Sequence, residues 1–386
     1  MLAKYATDKI LQKLDNIEEG TLNLTMPDGK VRSFQGRRPG IPANVEVRDW
    51  RVLPNLVTKG NIGFADDYRN GLWDADDLQG LFEMSLINAD AFQKMVVGQR
   101  SSRLKAMMSY FLKMNTLKGS KKNIHAHYDL GNDFYSLWLD PTMTYSSALY
   151  KDKKEDMVSA QHNKYDRISE QFDKDSGSLL EIGCGWGGYA ERALETDNFN
   201  IKGVTISDEQ HSYAQERVKG NADIVLEDYR HQEGKYDHIV SIEMFEAVGE
   251  RFWQTYFQKV ASLLKEKGKA VIQTITIREQ DFEEYRYSGD FIRSYIFPGG
   301  MLPSKVRFEQ EANKAGLIMG DVKEFGHDYS RTLTEWLKNF DAKREEVKAL
   351  GFDDGFIRLW RFYLAACAAG FKAGRTDVMQ VSLKHA

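Results

Sequence analysis

Cysteine is nearly absent from this chain: Cys184 and Cys367 are the only two among 386 residues, so at most one disulfide is available. That scarcity points to a reducing compartment and to a fold held by its core rather than by cross-links. No apolar run approaches the roughly 18 residues of a membrane span. The opening residues, Met1-Leu-Ala-Lys-Tyr-Ala-Thr-Asp-Lys9, lack the apolar centre of a signal peptide. The expected location is therefore cytoplasmic, or peripheral on the inner face of a membrane without crossing it. Net charge is only −4, which gives no global reason to expect a nucleic-acid partner. His125 and His127 stand close together, but no further ligands follow at zinc spacing, and no metal site is expected. Internal repeats and low-complexity tracts are also missing. With 42% hydrophobic and 28% charged residues, the chain has room for a large core and a second domain.

Acidic residues vanish locally as well. Between Ala91 and Tyr128 there is none, while Lys94, Arg100, Arg103, Lys105, Lys113, Lys118, Lys121 and Lys122 alternate with Met107, Met108, Tyr110, Phe111, Leu112 and Met114. A basic amphipathic segment of this kind can lie on an anionic bilayer, each basic residue adding roughly 1 kcal/mol near the surface. It can equally be an interdomain helix with a solvated basic face. We take 91–125 as this linker, 1–90 as a small α+β domain, and 126–386 as the main domain. In the first, 1–17 reads as helical and 22–34 as a hairpin turning at Asp28-Gly29.

What is abundant is patterned glycine. Residues 179–190, Leu-Leu-Glu-Ile-Gly-Cys-Gly-Trp-Gly-Gly-Tyr-Ala, run from an apolar strand into a helix-forming stretch through Gly183, Gly185 and Gly187. Such a loop lets backbone N–H groups and a helix N-terminus approach a polar cofactor. Gly183, Gly185 and Gly188 fit the dinucleotide pattern G-x-G-x-x-G, whereas Glu181-x-Gly-x-Gly-x-Gly fits S-adenosylmethionine (SAM) methyltransferases. A dinucleotide fold wants an acidic residue ending the second strand. Here Asn200-Ile-Lys-Gly-Val-Thr-Ile-Ser207 ends in hydroxyls, and the later Asp228-Tyr229 supplies an acidic-aromatic pair suited to adenine. SAM is favoured over NAD. Apolar segments 179–182, 201–206, 224–226, 238–242 and 270–277, separated by helical stretches such as 208–219 and 250–266, predict a doubly wound, Rossmann-like α/β sheet. Residues 281–325 interrupt it with aromatic-rich sequence expected to shape a substrate pocket.

Four motifs in order, His127-Tyr-Asp-Leu-Gly-Asn-Asp-Phe-Tyr135 through Met143-Thr-Tyr-Ser-Ser147, the glycine loop, Ser241-Ile-Glu-Met-Phe-Glu246 and Tyr295-Ile-Phe-Pro-Gly-Gly300, resemble the cyclopropane-fatty-acyl-phospholipid synthase family over roughly 120–380. The resemblance implies a class I SAM methyltransferase fold and methyl transfer to unsaturated acyl chains of membrane phospholipids at the bilayer surface. A homodimer is a further family-based expectation. Tyr145, Ser146, Glu181, Gly183, Gly185, Gly187, Thr205, Gln210, Asp228 and Tyr229 would hold the cofactor, although Ser207 and Gln210 also have the spacing of a helix capping box. Methylating an alkene leaves a carbocation, which aromatic faces can stabilise. Tyr135, Phe245, Tyr295, Phe297 and Tyr329 are the candidates.

Ring closure needs a base, and the resemblance implies a bicarbonate held by Cys, Glu, His and Tyr side chains and a backbone Ile. Carried across, these fall on Glu246, on Tyr329 in Gly326-His-Asp-Tyr-Ser-Arg-Thr-Leu333, and on Ile275. The Cys is Ser147 here, the His is Gln273, and the His that commonly follows the Glu is Ala247. Ser and Gln donate hydrogen bonds but carry no charge, so the anion site is expected to be weak or empty. Glu246 is then the nearest candidate base. Three alternatives stay open: a lipid methyltransferase giving methyl-branched, methylene or furan-precursor chains, a small-molecule amine N-methyltransferase, and a catalytically dead lipid-binding or SAM-sensing protein.

Overall fold

The computed structural model describes residues 7, 8, 10–12, 14–89 and 130–386. The basic segment, His125, His127 and Tyr128 lie outside the described residues. The chain divides into two compact units. One gathers 1–111, 287–296 and 333–375, and the other 112–286, 297–332 and 376–386.

The first unit holds a four-stranded sheet in the order β2-β1-β3-β4, with β1 Glu19–Thr25, β2 Val31–Gln35, β3 Arg38–Val47 and β4 Trp73–Ala75. β1 and β2 form the expected antiparallel hairpin, with Gly29 in its turn at φ +77°. Phe64 stacks on Trp73 at 4.0 Å between ring centroids, and Phe362 packs edge-on against Phe82 and Phe291, each at 4.7 Å. Two arginines of helix Asp354–Lys372 secure this core. Arg358 donates to Asp74 (2.9 Å) and to the Trp73 carbonyl (2.7 Å), and Arg361 donates to the Tyr68 hydroxyl (2.7 Å) and to Asp341 (2.6 Å).

The second unit is built on a seven-stranded sheet in the order β10-β11-β9-β8-β5-β6-β7. Its strands are β5 Ser176–Ile182, β6 Asn198–Thr205, β7 Asp223–Leu226, β8 Tyr236–Ile242, β9 Leu264–Ile277, β10 Leu317–Glu324 and β11 Thr376–His385. β5 to β9 run parallel, as the apolar segments predict. β11 pairs antiparallel with both β9 and β10. Neither β10 nor β11 figured in the strand pattern, and β10 lies within the stretch 281–325.

Successive residues of each central strand face opposite sides of the sheet. Leu180, Ile239 and Ile272 join Trp253, Tyr256, Phe257 and Val260 in one core cluster. Leu179, Val240 and Val271 join Tyr165, Ile168, Tyr189 and Ile201 in another. Both faces are covered, which is why the strands read as near-continuous apolar runs. Strand order reverses between β5 and β8, and in such sheets ligands bind beyond the strands' carboxyl ends at that reversal. The glycine loop leaves β5 there and the Glu243–Glu246 turn leaves β8.

Among the described residues no helix is long and apolar enough to cross a membrane. No group of three or more His, Cys, Asp or Glu is placed to hold a metal. Cys184 and Cys367 are both free thiols. Leu180 is fully buried in β5, so Leu180→Ala is expected to cost about 2–5 kcal/mol. A urea titration of the variant should show a lower midpoint.

Candidate functional site

A cleft of about 1140 Å³, counting its open mouth, lies over the strand reversal and is lined by the glycine loop, Met143–Ser146, Val204–Ile206, Glu227–Arg230 and Ile242–Met244. It contains nine of the ten expected cofactor residues; Gly187 sits one position back, where at φ +79° it starts helix Gly188–Thr196. Two glycines are favoured for different reasons, Gly183 by close approach and Gly185 by its left-handed backbone. A Cβ on Gly183 would stand 2.8 Å from Met244 Cγ, and Gly185 at φ +52° has nothing within 4 Å of its missing Cβ, leaving open cleft.

Glu181 ends in this cleft with Oε2 buried and lacking a hydrogen-bond partner. Burial pushes its carboxyl up to about 8, against the opposing charges of Arg217 and Lys164. An orphaned carboxylate oxygen beside a glycine cradle fits a cofactor that carries positive charge. Thr205 Oγ1 donates to Gln210 Oε1 (2.9 Å), while Ser207 Oγ accepts from the Gln210 backbone N–H (3.3 Å) and caps helix Asp208–Val218. Asp228 accepts from Arg230 Nε (2.8 Å) and Nη2 (2.6 Å), with Tyr229 beside it on the wall. Arg230 was missed in the sequence, as was Arg217, which donates to the carbonyls of Thr142 (2.8 Å) and Trp186 (3.3 Å) and so ties the glycine loop to the Met143–Ser147 segment.

The expected catalytic residues lie together deeper in the site, around two carboxylates. Glu246 accepts from the backbone N–H of Ile275 and from Thr274 Oγ1 (3.1 Å), and its Oε2 is buried without a partner. Burial, reinforced by the Glu243 charge, pushes Glu246 up to about 8. Ser147, Gln273 and Tyr329 converge instead on Glu243. The Ser147 backbone N–H donates to its Oε1 (2.8 Å), Gln273 Nε2 donates to the same oxygen (2.7 Å), and the Tyr329 hydroxyl donates to Oε2 (2.6 Å). The Ser147 hydroxyl is turned away to the Ala148 carbonyl (2.9 Å). Gln380 on β11 pairs directly with Gln273 on β9 and donates to its Oε1 (3.0 Å), so the Gln273 amide can only present N–H to Glu243.

Lys164, fully buried on helix Met157–Glu170, donates to Ser146 Oγ (2.6 Å). Burial pushes its ammonium down to about 7, and the charges of Glu243, Asp140 and Glu181 oppose that fall. Burial likewise raises Glu243, with the Tyr329 hydrogen bond and Lys164 acting to lower it. Tyr329 is held protonated by its own burial and by the Glu243 charge. Three donors and a buried cation favour charge on Glu243, whereas Glu246 has two donors and a like-charged neighbour, so Glu246 is the member that keeps its proton.

The five candidate aromatics part company. Phe245 belongs to the apolar core, within 5.6 Å of Trp253, Tyr256, Phe257 and Phe308. Tyr295 falls in the other unit, its hydroxyl donating to Asp66 (2.7 Å). Tyr135 and Phe297 pack against Tyr145 at 5.4 and 6.5 Å, Tyr135 meets Trp186 at 5.0 Å, and both Tyr145 and Trp186 line the cleft. Glu243 and Lys164 escaped the sequence reading. The run Ile242-Glu-Met-Phe-Glu246 contains two carboxylates, and Lys164 stands on the buried stripe of its helix with Ala160, Gln161 and Ile168. Those were the available signals.

The family described as mycolic acid cyclopropane synthetase matches residues 115–381. Cyclopropane-fatty-acyl-phospholipid synthase of Escherichia coli K12 is 34% identical over 88% of this chain and 87% of its own length. Tuberculostearic acid methyltransferase of Mycobacterium tuberculosis is 35% identical over 94% of this chain and 87% of its own. A crystal structure of a mycolic acid cyclopropane synthase with SAH and CTAB is 31% identical, with a TM-score of 0.64, over 68% of this chain and 97% of that one.

Because the Glu181 carboxyl stays protonated through neutral pH, a cationic ligand must displace a proton to bind beside it. SAM binding is expected to release a proton at pH 7 and to tighten as pH rises toward about 8. Calorimetry in buffers of different ionisation enthalpy reads both, and Glu181→Gln should abolish the proton release and weaken binding by about 1.5–3 kcal/mol.

Proposed function

The chain belongs to the mycolic acid cyclopropane synthetase family of SAM-dependent C-methyltransferases, and from that premise we propose that it methylates the double bond of unsaturated acyl chains in membrane phospholipids, with a cyclopropane as product. The observation that carries this reading is the pairing, at one strand reversal, of a glycine cradle carrying Glu181 with a desolvated, hydrogen-bonded carboxylate site. When bound, SAM supplies the methyl: the alkene π pair bonds to the methyl carbon, the carbon–sulfur pair stays on sulfur, and a carbocation is left on the chain. Glu181, Thr205, Gln210, Asp228 and Tyr229 hold the cofactor. Tyr135, Tyr145, Trp186 and Phe297 present aromatic faces to a cation, and the burial of Tyr135 and Trp186 helps keep water from quenching it.

A second product is favoured by one feature. Ser147 and Gln273 replace the residues implied for ring closure, so the cation can lose a chain proton and yield a methyl-branched or methylene chain. A relative named for tuberculostearic acid, at 35% identity, supports keeping that outcome. In this reading residues 1–90 form a small domain that segments 287–296 and 333–375 complete, the basic segment 91–125 meets the anionic bilayer, and a homodimer would present two such segments.

Incubating cis-monounsaturated phospholipid vesicles with the protein and methyl-deuterated SAM, then weighing the released fatty acids, tests the reaction. Gain of CD₂ reports ring closure at the methyl. Retained CD₃ reports loss of a chain proton. Absence of label from lipid overturns the lipid reading and directs attention to amines. For the bilayer partner, anionic vesicles should sediment the protein at low salt and release it as salt rises, and indifference to vesicles would overturn that part.

A further inference from the structure

Of the polar groups around the cleft, Glu243 has the strongest claim to a role not yet given. It is one of three non-glycine residues described with positive φ, at +49°. A left-handed backbone costs a residue of this kind about 1–3 kcal/mol and persists where the surroundings over-determine it. Here they do: its own N–H donates to the Gln273 carbonyl (2.8 Å), and its carboxylate receives Ser147 N–H, Gln273 Nε2 and Tyr329 hydroxyl. The residue also lines the cleft into which Glu181 and the glycine loop open.

Two of the donors on Glu243, the Gln273 amide and the Tyr329 hydroxyl, are among those expected to hold a small external anion, Ser147 joins them through its backbone N–H in place of its side chain, and the expected Ile275 N–H is taken by Glu246. An anion entering this place would meet a protein carboxylate already seated on its hydrogen bonds. The arrangement suits a fixed base: a carboxylate seated on three donors, with Lys164 and the Tyr329 hydrogen bond acting against the rise that burial imposes, neutral donors that cannot compete for the proton, and an opening to the cleft.

We propose that the Glu243 carboxylate is itself the base of the reaction, occupying the anion position and removing the need for a captured bicarbonate. The proposal rests on the lipid-methylation reading above. After methyl transfer one proton remains to be lost. If it leaves the transferred methyl, its C–H pair closes the ring onto the cationic carbon; if it leaves a neighbouring chain carbon, the pair forms a double bond. In both cases the proton goes to a Glu243 oxygen and from there to solvent before the next turnover. Burial raises Glu243, which strengthens it as a base once ionised. Tyr329, Gln273 and Gln380 act as positioning residues that aim and hold the carboxylate.

Two variants and one titration test this. Glu243→Gln keeps the shape and removes the base; Glu243→Ala removes the carboxylate and leaves room for a small anion. With methyl-deuterated SAM and cis-monounsaturated vesicles, wild-type turnover should be unchanged by adding bicarbonate to carbonate-free buffer. Turnover of Glu243→Gln should fall about 10²–10⁴-fold, the usual contribution of a positioned general base, while calorimetric SAM affinity stays close to wild type. Glu243→Ala should be equally slow but recover in part with bicarbonate or formate. By ¹³C NMR, labelled bicarbonate should broaden saturably on Glu243→Ala and not on wild type. Bicarbonate-dependent wild type, an active Glu243→Gln, or saturable bicarbonate binding to wild type each overturns the proposal. Lipid left unlabelled by wild type and all variants would overturn the lipid reading instead, and the NMR titration still decides whether Glu243 fills the anion position.

Discussion

Three carboxylates taken out of water in one cleft, Glu181, Glu243 and Glu246, set the terms for what surrounds them. An unpaired buried charge costs several kcal/mol, so each carboxylate must be paired, hydrogen-bonded or protonated. The sheet meets this demand by topology. The reversal between β5 and β8 brings Glu181 and Glu243 to neighbouring strand ends, and β9, next to β8, contributes Gln273 and the Ile275 N–H. Helix Met157–Glu170 adds Lys164, and the helix beginning at Gly326 adds Tyr329. The three groups are thereby made unequal. Glu243 has the donors for a charge, Glu246 keeps a proton, and Glu181 keeps an oxygen for a cation to claim.

Much of the fold was legible in the sequence because the parallel strands are covered on both faces and write themselves as short apolar runs bounded by turns. All five were visible in this way. β10 and β11 were not, for opposite reasons. β10 is a sheet edge with one buried residue, Leu317, among exposed and half-exposed ones. β11 is deeply buried but carries Gln380 and Ser382 inward, which breaks the apolar signal. The same Gln380 that hides the strand is the residue that fixes the Gln273 amide, so the illegible feature and the functional one share a cause.

The site was legible where backbone geometry dictates residue type and obscure where side chains meet through space. Gly183 and Gly185 are demanded locally by close approach and positive φ. Ser147, Gln273 and Tyr329 were found through family motifs, but what they surround was not, because their common acceptor is three residues from the carboxylate those motifs single out. Nor does a sequence say that Ser147 acts through its backbone while its hydroxyl points elsewhere. Loss of a thiol and an imidazole at 147 and 273 reads as damage when each position is taken alone. Beside Glu243 it reads as accommodation, since a fixed carboxylate needs neutral donors around it, and Lys164 already acts to lower its pKa against burial.

A base built into the chain differs in kind from one captured from solution. A bound anion is present only for the fraction of time its dissociation constant allows, and it adjusts its position within its cage. A side chain anchored by its own backbone N–H and three donors is always present and has one geometry, which places the entropy of assembly in folding rather than in each turnover. Fixity also selects the proton. Methyl and chain hydrogens of the same cation lie in different directions, and a carboxylate that cannot follow the cation removes whichever one the acyl chain presents to it. Product identity in such an enzyme is then a matter of how the lipid is seated, with the acid–base chemistry held constant.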